Sequence, residues 1–370
     1  MSQYHDHCGH MGVDCEVAVV LCQKGGRTTF TCSLLNRLSP GYIHCLLPDH
    51  LSLATSTTVS ISTPRDQGRT NILRVQLPQP RRYNFLTCFS PLHRNFGDAT
   101  LVVENLEMAQ VLGAQHAVVY NTSITAGVDT VLRHYVRRGF LDVVSWRDPP
   151  EPVHYKAQMG AINDCLLRNL NSTDFIVFMD FDEMIVPRVH DSWSALVQAM
   201  QNSISSDFVH RGRNQLLTMA GGFVSRLAKK ERSDAIFNSS NSQSHIIGAF
   251  SFPSSVFLWD KATNLTNEEL RFANRLHLSF LLKQRRTVEI WQKRSKTIVN
   301  PRTVNIMGIH GVMSFLGEEK TLLVNESLGL LQHYRWYGNV PSVKDTNILR
   351  FASTLVQRMK HTLKELDSEH

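Results

Sequence analysis

Two aspartates that follow an apolar stretch are the residues of this sequence best suited to chemistry. Residues 175–179 are Phe-Ile-Val-Phe-Met, and Asp180 and Asp182 come directly after them. Carboxylates at positions i and i+2 of a tight turn can hold a hard divalent cation through their oxygens, and such a cation can bridge the phosphates of a nucleotide diphosphate. It would neutralise the charge that develops on a leaving diphosphate. We expect Asp182 to bind the metal directly, and Asp180 to hold either a ribose or a metal-bound water.

The Asp-x-Asp pair has two other interpretations. A solvated charged turn is the commoner one for the tripeptide alone. Phosphatases of the haloacid dehalogenase type also carry such a pair, but they favour Thr or Val two residues after the second Asp and use the first strand of the domain. Here Met184 stands at that position, and the strand is the fourth of its unit. The apolar residues on both sides of the motif favour a ligand site over a solvated turn.

The elements before this motif alternate between strand and helix. Continuous apolar runs predict strands, and apolar residues spaced three and four apart predict helices. In chain order, the sequence predicts a strand at 83–89, a helix that Asp98 caps and that runs to 112 before Gly113, a strand at 116–120, a helix at 128–138, a strand at 141–146, a helix at 155–170 and a strand at 175–179. This alternation predicts an α/β fold with parallel strands, right-handed crossovers and helices on both faces of the sheet.

Ligands of such sheets bind beyond the carboxyl ends of the strands. Those ends fall at Ser90 and Pro91, at Tyr120 and Asn121, at Trp146 and at residues 180–183, from Asp180 to Glu183. We therefore expect these positions to converge on one rim of the sheet.

The segments outside this unit have weaker patterns. Four β-prone runs, at 16–21, 27–34, 57–62 and 71–77, predict a small β-rich N-terminal region. After residue 187 the sequence predicts a helix at 192–200 capped by Asp191, strands at 245–257, a helix at 267–282, mixed strand and loop at 296–309, and a long C-terminal helix at 343–366.

The composition is that of a folded domain with a basic surface. The 370 residues are 42% apolar and carry a net charge of +7, which excludes global disorder. The basic residues are scattered, so we expect no nucleic-acid partner and an ordinary basic surface. No stretch approaches the roughly 20 apolar residues that a membrane span needs, and we predict neither a span nor a signal peptide in this sequence.

Cysteines and glycosylation sequons suggest an oxidising compartment. Five of the seven cysteines lie in the first 45 residues, at Cys8, Cys15, Cys22, Cys32 and Cys45. Their clustering predicts local disulfides, with a zinc site that includes neighbouring histidines as the alternative. Cys88 and Cys165 lie in apolar segments, where we expect buried thiols, with a bridge as the alternative. Five Asn-x-Ser/Thr sequons, at Asn121, Asn171, Asn238, Asn264 and Asn325, add weak support for a lumenal protein.

Eight separate stretches follow one another in the order found in a known family. They are residues 88–92, 101–108, 112–121, 158–166, 175–183, 296–301, 307–310 and 333–335. Together they resemble glycosyltransferase family 92, formerly a domain of unknown function. One departure is Asn105, where the family usually has Trp. We expect this change to affect the packing of the first helix and to leave the metal motif untouched.

The resemblance implies a GT-A-type fold with a Rossmann-like, mostly parallel sheet, a UDP-sugar donor, a manganese ion and inverting transfer. Similar proteins transfer galactose to glycans of glycoproteins or glycolipids and are anchored in the Golgi membrane, although this sequence shows no anchor. On this basis we divide the chain into a β-rich region at 1–82, a GT-A domain at 83–340 and a C-terminal helix at 341–370. Within the domain, 83–187 would bind the nucleotide sugar and 188–340 the acceptor.

A histidine late in the chain is expected to complete the metal shell. His333 is the first choice, because in a strand His333 and Arg335 would face one side and place a metal ligand beside a cation for the diphosphate. His310 is the second choice, and for either residue a merely packed or surface histidine is the alternative. Lys296 is a further candidate for the diphosphate, although it lies in a charged run.

The remaining candidate residues concern the nucleotide. Ser90, Pro91 and Tyr120 are placed to hold uracil and ribose, with a core aromatic as the alternative for Tyr120. Gln158 is expected to hydrogen-bond the nucleotide, and Asp164 to cap or pair locally. No spacing argument selects the general base that inverting transfer needs.

The sequence as a whole predicts a metal-dependent glycosyltransferase that moves a sugar, galactose from UDP-galactose by resemblance, to a glycan acceptor. An alternative of a different class is a catalytically inactive sugar-binding protein of the same fold. The intact Asp180, Asp182 and His333 argue against that alternative.

Overall fold

The computed structural model describes residues 80–147, 157–210, 247–335, 338 and 340–368. For residues 204–210 it describes the backbone only. Four short strands precede them: β1 (Thr28–Thr31) pairs with β2 (Tyr42–Cys45), and β3 (Thr58–Val59) pairs with β4 (Leu73–Arg74). The predictions for the five early cysteines concern side chains outside the described residues.

The first half of the main domain alternates as predicted. Its elements are β5 (Tyr83–Phe89), α1 (Ala99–Leu112), β6 (His116–Asn121), α2 (Ala126–Arg137), β7 (Leu141–Ser145), α3 (Gln158–Arg168) and β8 (Thr173–Met179). The strands lie in the order β7-β6-β5-β8, and all three neighbouring pairs are parallel. β5, β6 and β8 are mostly buried, which explains their near-continuous apolar runs, whereas β7 at the edge is largely exposed.

The second half extends the same sheet with strands of mixed direction. Its elements are β9 (Glu183–Pro187), α4 (Trp193–His210), β10 (Ile247–Leu258), α5 (Asn267–Leu276), α6 (Ser279–Leu282), β11 (Arg285–Thr287), β12 (Trp291–Val299), β13 (Val304–Met307), β14 (Val312–Phe315), β15 (Lys320–Leu323), β16 (Gly329–His333), β17 (Ser342–Lys344) and α7 (Ala352–Ser368). The sheet continues from β8 through β12, β10 and β11 to β17. Because β12 is antiparallel to both β8 and β10, β10 runs in the same direction as β8. The α/β class is confirmed. The first half is entirely parallel, whereas the second half is mixed: β10 pairs in parallel with β15 and β16 and antiparallel with β11 and β12.

Local capping chemistry fixes the ends of α1. The carboxylate of Asp98 accepts a hydrogen bond from the backbone N–H of Leu101 at 2.9 Å. Gly113 ends the helix with φ of 113°, a left-handed conformation that suits glycine. Both ends agree with the sequence prediction.

Several helix boundaries differ from the prediction. The predicted helix at 192–200 runs on to His210 as α4. Ser192, and not Asp191, caps α4, because its hydroxyl accepts from the N–H of Ala195 at 3.2 Å. The predicted helix at 267–282 is divided into α5 and α6 by His277, which has a left-handed φ of 54°. The predicted C-terminal helix begins only at Ala352, because residues 342–344 pair with β11 and a 3₁₀ turn follows.

Cys88 and Cys165 form a disulfide, so the expectation of two buried thiols is wrong. The bridge links β5 to α3, with Cα atoms 6.3 Å apart. Sequence alone did not reveal that α3 crosses the face of the sheet at this point.

The C-terminal helix packs against α1 through a buried carboxylate. Glu107 of α1 is 1% exposed and accepts hydrogen bonds from Arg358 at 2.7 Å, from Thr362 at 2.6 Å and from Tyr135 at 2.7 Å. A buried carboxylate is tolerated when it is paired and hydrogen-bonded in this way. Within the described ranges, no helix combines the length and apolar character that crossing a membrane requires.

Candidate active site

The turn that carries the two aspartates lies between β8 and β9 at the carboxyl edge of the sheet. β9 pairs antiparallel with β16, and Glu183 lies opposite His333 in this pairing. The strand register therefore brings His333 to the turn, although it is 151 residues from Asp182 in the sequence. The backbone N–H of Tyr334 also donates to the carbonyl of Asp182 at 2.7 Å.

Asp182 and His333 present two ligand atoms at one place. His333 Nε2 lies 3.1 Å from Asp182 Oδ2, and the two side chains are 12% and 39% exposed respectively. Burial lowers the pKa of His333, but the hydrogen bond to Asp182 and the charge of Glu183 outweigh that effect and raise the pKa overall. The pair is reachable from solvent on the side of Asp182.

Asp182 and His333 suit a divalent cation that receives most of its ligands from a bound nucleotide and from water. A carboxylate oxygen and an imidazole nitrogen are both donors that manganese accepts, and an octahedral ion in a nucleotide site commonly uses few protein ligands plus phosphates and water. Across the described ranges, no group of three or more His, Cys, Asp or Glu side chains is arranged to hold a metal. A cation here would therefore depend on Asp182, His333 and the oxygens of a bound diphosphate.

Asp180 is held by polar side chains on both of its oxygens. Its Oδ1 accepts hydrogen bonds from Ser90 and, at 3.4 Å, from Gln158, and its Oδ2 accepts from Lys296 at 3.0 Å. Burial raises the pKa of Asp180, but Lys296 and Ser90 outweigh it and hold the pKa below its ordinary value. Asp180 is thus a fixed carboxylate that organises Ser90 and Gln158 at the rim.

Glu183 belongs to the rim that the sequence predicts at 180–183, although no chemical role was predicted for it. It is 3% exposed; its Oε2 accepts from the N–H of Asp180 at 3.1 Å and lies 3.4 Å from Lys296, and its Oε1 lies 3.6 Å from His333 Nδ1. Burial raises its pKa to about 7, with Lys296 acting in the opposite direction. A carboxylate behind an imidazole orients the ring and fixes its tautomer. The available signal was a lone glutamate in the otherwise apolar run 183–187.

The turn is also held from the core side, which corrects one expectation. The amide of Asn105 donates to the carbonyls of Phe181 at 2.8 Å and of Glu183 at 3.0 Å. The ring of Phe181 stacks on Phe89 with centroids 4.2 Å apart. Asn105 therefore contacts the backbone of the metal motif directly, and the expectation that this position leaves the motif untouched is wrong.

A cavity of about 410 Å³ opens beside the turn. Its lining is formed by Ser90, Pro91, Leu92, His93, Phe96, Leu101, Gln158, Asp180, Phe181 and Asp182. Five of these residues were selected from the sequence for the nucleotide or the metal. The mixture of apolar walls with a few fixed polar groups is typical of a small-molecule site.

Tyr120 is not among the residues that line this cavity. It is fully buried, and its hydroxyl donates to Asp164 at 2.7 Å while its ring meets Trp146 edge-on. Asp164 also pairs with Arg168, as the expectation of a local partner requires. In this arrangement Tyr120 is a core aromatic.

The remaining predicted residues, Lys296, His310 and Arg335, differ in how far they are exposed to solvent. Lys296 is 2% exposed, and its amine contacts Asp180 and Glu183. His310 is exposed, and its Nδ1 lies 3.3 Å from the carbonyl of Ser295. Arg335 is exposed and lies beyond the end of β16, so the strand alternation expected for His333 and Arg335 does not extend to it.

Comparison with known proteins gives the family of the chain. The family model of glycosyltransferase family 92 matches residues 83–369. This chain belongs to glycosyltransferase family 92. The match includes both aspartates, His333 and all of the described main domain, so the family 92 domain is the unit that carries the site.

Two curated relatives come from Caenorhabditis elegans. A glycosyltransferase family 92 protein is 31% identical over 120 residues, which is 29% of this chain and 24% of that protein. The beta-1,4-galactosyltransferase galt-1 is 26% identical over 157 residues, 39% of this chain and 37% of that protein. The alignments thus span a quarter to somewhat over a third of the relatives' own lengths.

Among solved structures, glucosyl-3-phosphoglycerate synthase from Mycobacterium tuberculosis, in complex with Mn²⁺, UDP and glucosyl-3-phosphoglycerate, is 14% identical, with 77% of this chain and 80% of that chain covered. The TM-score is 0.27, which is too low to support any argument about this chain.

Proposed function

We propose that this family 92 domain transfers a sugar from a UDP-sugar donor to a glycan acceptor with the help of a divalent cation. The observation that carries the proposal is the meeting of Asp182 Oδ2 and His333 Nε2 at 3.1 Å, at the mouth of the cavity that Asp180 and Gln158 line. Galactose is the proposed sugar, because one relative is named a beta-1,4-galactosyltransferase. Family membership leaves the phosphatase alternative without support.

Each side chain of the site has a distinct task in this proposal. Asp182 and His333 would hold the cation, which is proposed to be manganese and would supply Lewis-acid stabilisation of the leaving diphosphate. Asp180, Ser90 and Gln158 form a fixed hydrogen-bonding wall for the nucleotide. Lys296 lies behind the wall and neutralises part of the carboxylate charge, so that an anionic donor can approach.

We also propose that transfer inverts the anomeric configuration and that the domain works in an oxidising lumen such as the Golgi. The disulfide between Cys88 and Cys165 supports the compartment, because such bridges persist where thiols are not kept reduced. The exposed Asn264, in an Asn-Leu-Thr sequon, is compatible with a lumenal location.

The decisive experiment measures UDP release from UDP-galactose with and without manganese. Wild-type protein should release UDP in a manganese-dependent manner, and Asp182→Asn should reduce the rate by at least about 100-fold, since a lost ligand costs no less than a lost supporting residue. Asp191→Asn, at a side chain that is 93% exposed and outside the site, is the matched control and should behave as wild type. Unchanged release by Asp182→Asn would refute the assignment, and the absence of any UDP release from wild type would favour the inactive sugar-binding alternative.

A further inference from the structure

Trp259 is a large aromatic residue that remains 54% exposed directly after the end of β10. A single exposed apolar residue needs no explanation, but an exposed indole close to the candidate active site can contribute to ligand binding. We propose that Trp259 is the platform on which a pyranose ring of the acceptor glycan stacks, with Asp260 and Arg285 as its polar partners. This inference rests on the proposed transfer activity and assigns the acceptor side of the same site.

The direction of β10 places Trp259 at the reacting edge of the sheet. β10 pairs in parallel with β16, and Val256 lies opposite His333 in that pairing. Trp259 follows three residues after Val256, so it lies just past His333 on the same carboxyl edge that carries Asp180. Ligands of open α/β sheets bind at this edge.

The buried amine of Lys283 contacts both the indole of Trp259 and the backbone next to His333. Lys283 Nζ lies 5.4 Å from the centroid of the Trp259 ring and donates to the carbonyl of Tyr334 at 3.0 Å. Tyr334 in turn donates its N–H to the carbonyl of Asp182 at 2.7 Å. The cation–π contact holds the ring in a defined place next to the turn. A ring held before the ligand arrives loses little entropy on binding.

The chemistry around the ring suits a sugar. The C–H groups on one face of a pyranose pack on the electron-rich face of an indole, and its hydroxyls need donors and acceptors around the rim. Asp260 Oδ2 lies 4.0 Å from Arg285 Nη1, and the two side chains are 24% and 38% exposed. Asp260 follows Trp259 in the sequence, and Arg285 pairs with Leu258, the residue before Trp259. The guanidinium of Arg285 also donates to Ser342. This carboxylate and this guanidinium supply both kinds of hydrogen-bonding group.

The position of the indole favours the acceptor over the donor. The cavity assigned to the nucleotide is lined by residues of the first half of the domain, from Ser90 to Asp182, and Trp259 is not among them. Trp259 comes from the second half of the domain. A sugar on Trp259 would therefore occupy a different place from a nucleotide in the cavity.

The test compares acceptor-dependent and acceptor-independent UDP release from UDP-galactose. The acceptor probes are the methyl pyranosides of galactose, glucose, mannose, fucose and N-acetylglucosamine, and the most stimulating one is used for all variants. Trp259→Ala should lower the ratio of stimulated to unstimulated release about tenfold and raise the KM for the probe, whereas Trp259→Phe, which keeps an aromatic face, should stay within about threefold of wild type. Val136→Ala, at an exposed position of α2, is the control and should keep the wild-type ratio.

The outcomes separate this inference from the proposed function. Manganese-dependent UDP release without any acceptor tests the function by itself. If that release occurs but no methyl pyranoside stimulates it, or if Trp259→Ala keeps the wild-type KM for the probe, the acceptor platform is refuted and the transferase proposal stands. A loss of unstimulated release in Trp259→Ala would assign the indole to the donor and would equally overturn the inference.

Discussion

The side-chain amide of Asn105 donates a hydrogen bond to the backbone carbonyl of Glu183, with N and O 3.0 Å apart. The same amide donates to the carbonyl of Phe181 at 2.8 Å, so one side chain of α1 holds the backbone on both sides of Asp182. Asn105 is fully buried and 78 residues before Glu183 in sequence. The geometry of the turn that carries Asp180 and Asp182 therefore depends on a residue of α1.

Replacing Asn105 by Ala should loosen this turn. Two buried carbonyls would lose their donor, and we expect a loss of about 1–3 kcal/mol in the free energy of unfolding together with a higher half-saturating manganese concentration. Asn163→Ala is the matched control: Asn163 is equally buried, and its amide donates to the carbonyls of Met159 and Met307. The control should lose comparable stability without a change in manganese dependence. Equal manganese curves for both variants would show that Asn105 has a structural role only.

The two late histidines should differ in their effect on manganese. His333 lies 3.1 Å from Asp182, whereas His310 contacts the backbone of Ser295. We expect His333→Ala to raise the half-saturating manganese concentration for the initial rate by at least about 10–100-fold, and His310→Ala to leave it near the wild-type value. A larger shift for His310→Ala would require their roles to be exchanged.

The disulfide should contribute measurably to stability. It closes a loop with a sequence separation of 77 residues, for which loss of chain entropy in the unfolded state predicts about 4.5 kcal/mol. Cys88→Ser should lower the midpoint of thermal unfolding, and dithiothreitol should lower the wild-type midpoint to nearly the same value. Mass mapping without reduction should recover a peptide that links Cys88 to Cys165; two free thiols in that experiment would contradict the bridge.

Glu104 should make the stability depend on pH. It is 1% exposed and accepts from the N–H groups of Phe280 at 2.8 Å and Ser279 at 3.1 Å. Burial raises its pKa from 4.5 to about 8, and these backbone hydrogen bonds offset the effect only in part. Between those two values the folded state binds more protons than the unfolded state, so the free energy of unfolding falls as pH rises from about 4.5 to about 8.

The measurement is denaturant unfolding of wild type and Glu104→Gln across that pH range. The variant cannot ionise at this position, so its stability should fall less steeply with pH, and its difference from wild type should level off above about pH 8. Parallel curves for the two proteins would show that Glu104 does not titrate in this window.

The sequence by itself determined the alternating first half of the domain and the position of Asp180 and Asp182 at the end of a buried strand. Both depend on signals within a few residues: the apolar run before Asp180 predicts a strand, and Asp98 and Gly113 mark the ends of one helix. Capping and strand burial act between near neighbours in the chain, so a linear pattern is enough to recognise them. The order of strands and helices, which is read from such local signals, also placed Ser90 at the rim.

Only the tertiary structure decided which distant side chains meet at that motif. His333 reaches Asp182 because of the β9–β16 register, and a one-residue slip would turn its side chain to the other face of the strand. Asn105 reaches the turn because α1 packs beneath it, and Trp259 lies at the same edge because β10 runs parallel to β16. Such contacts are fixed by packing between segments far apart in the chain, and no pattern of neighbouring residues encodes them.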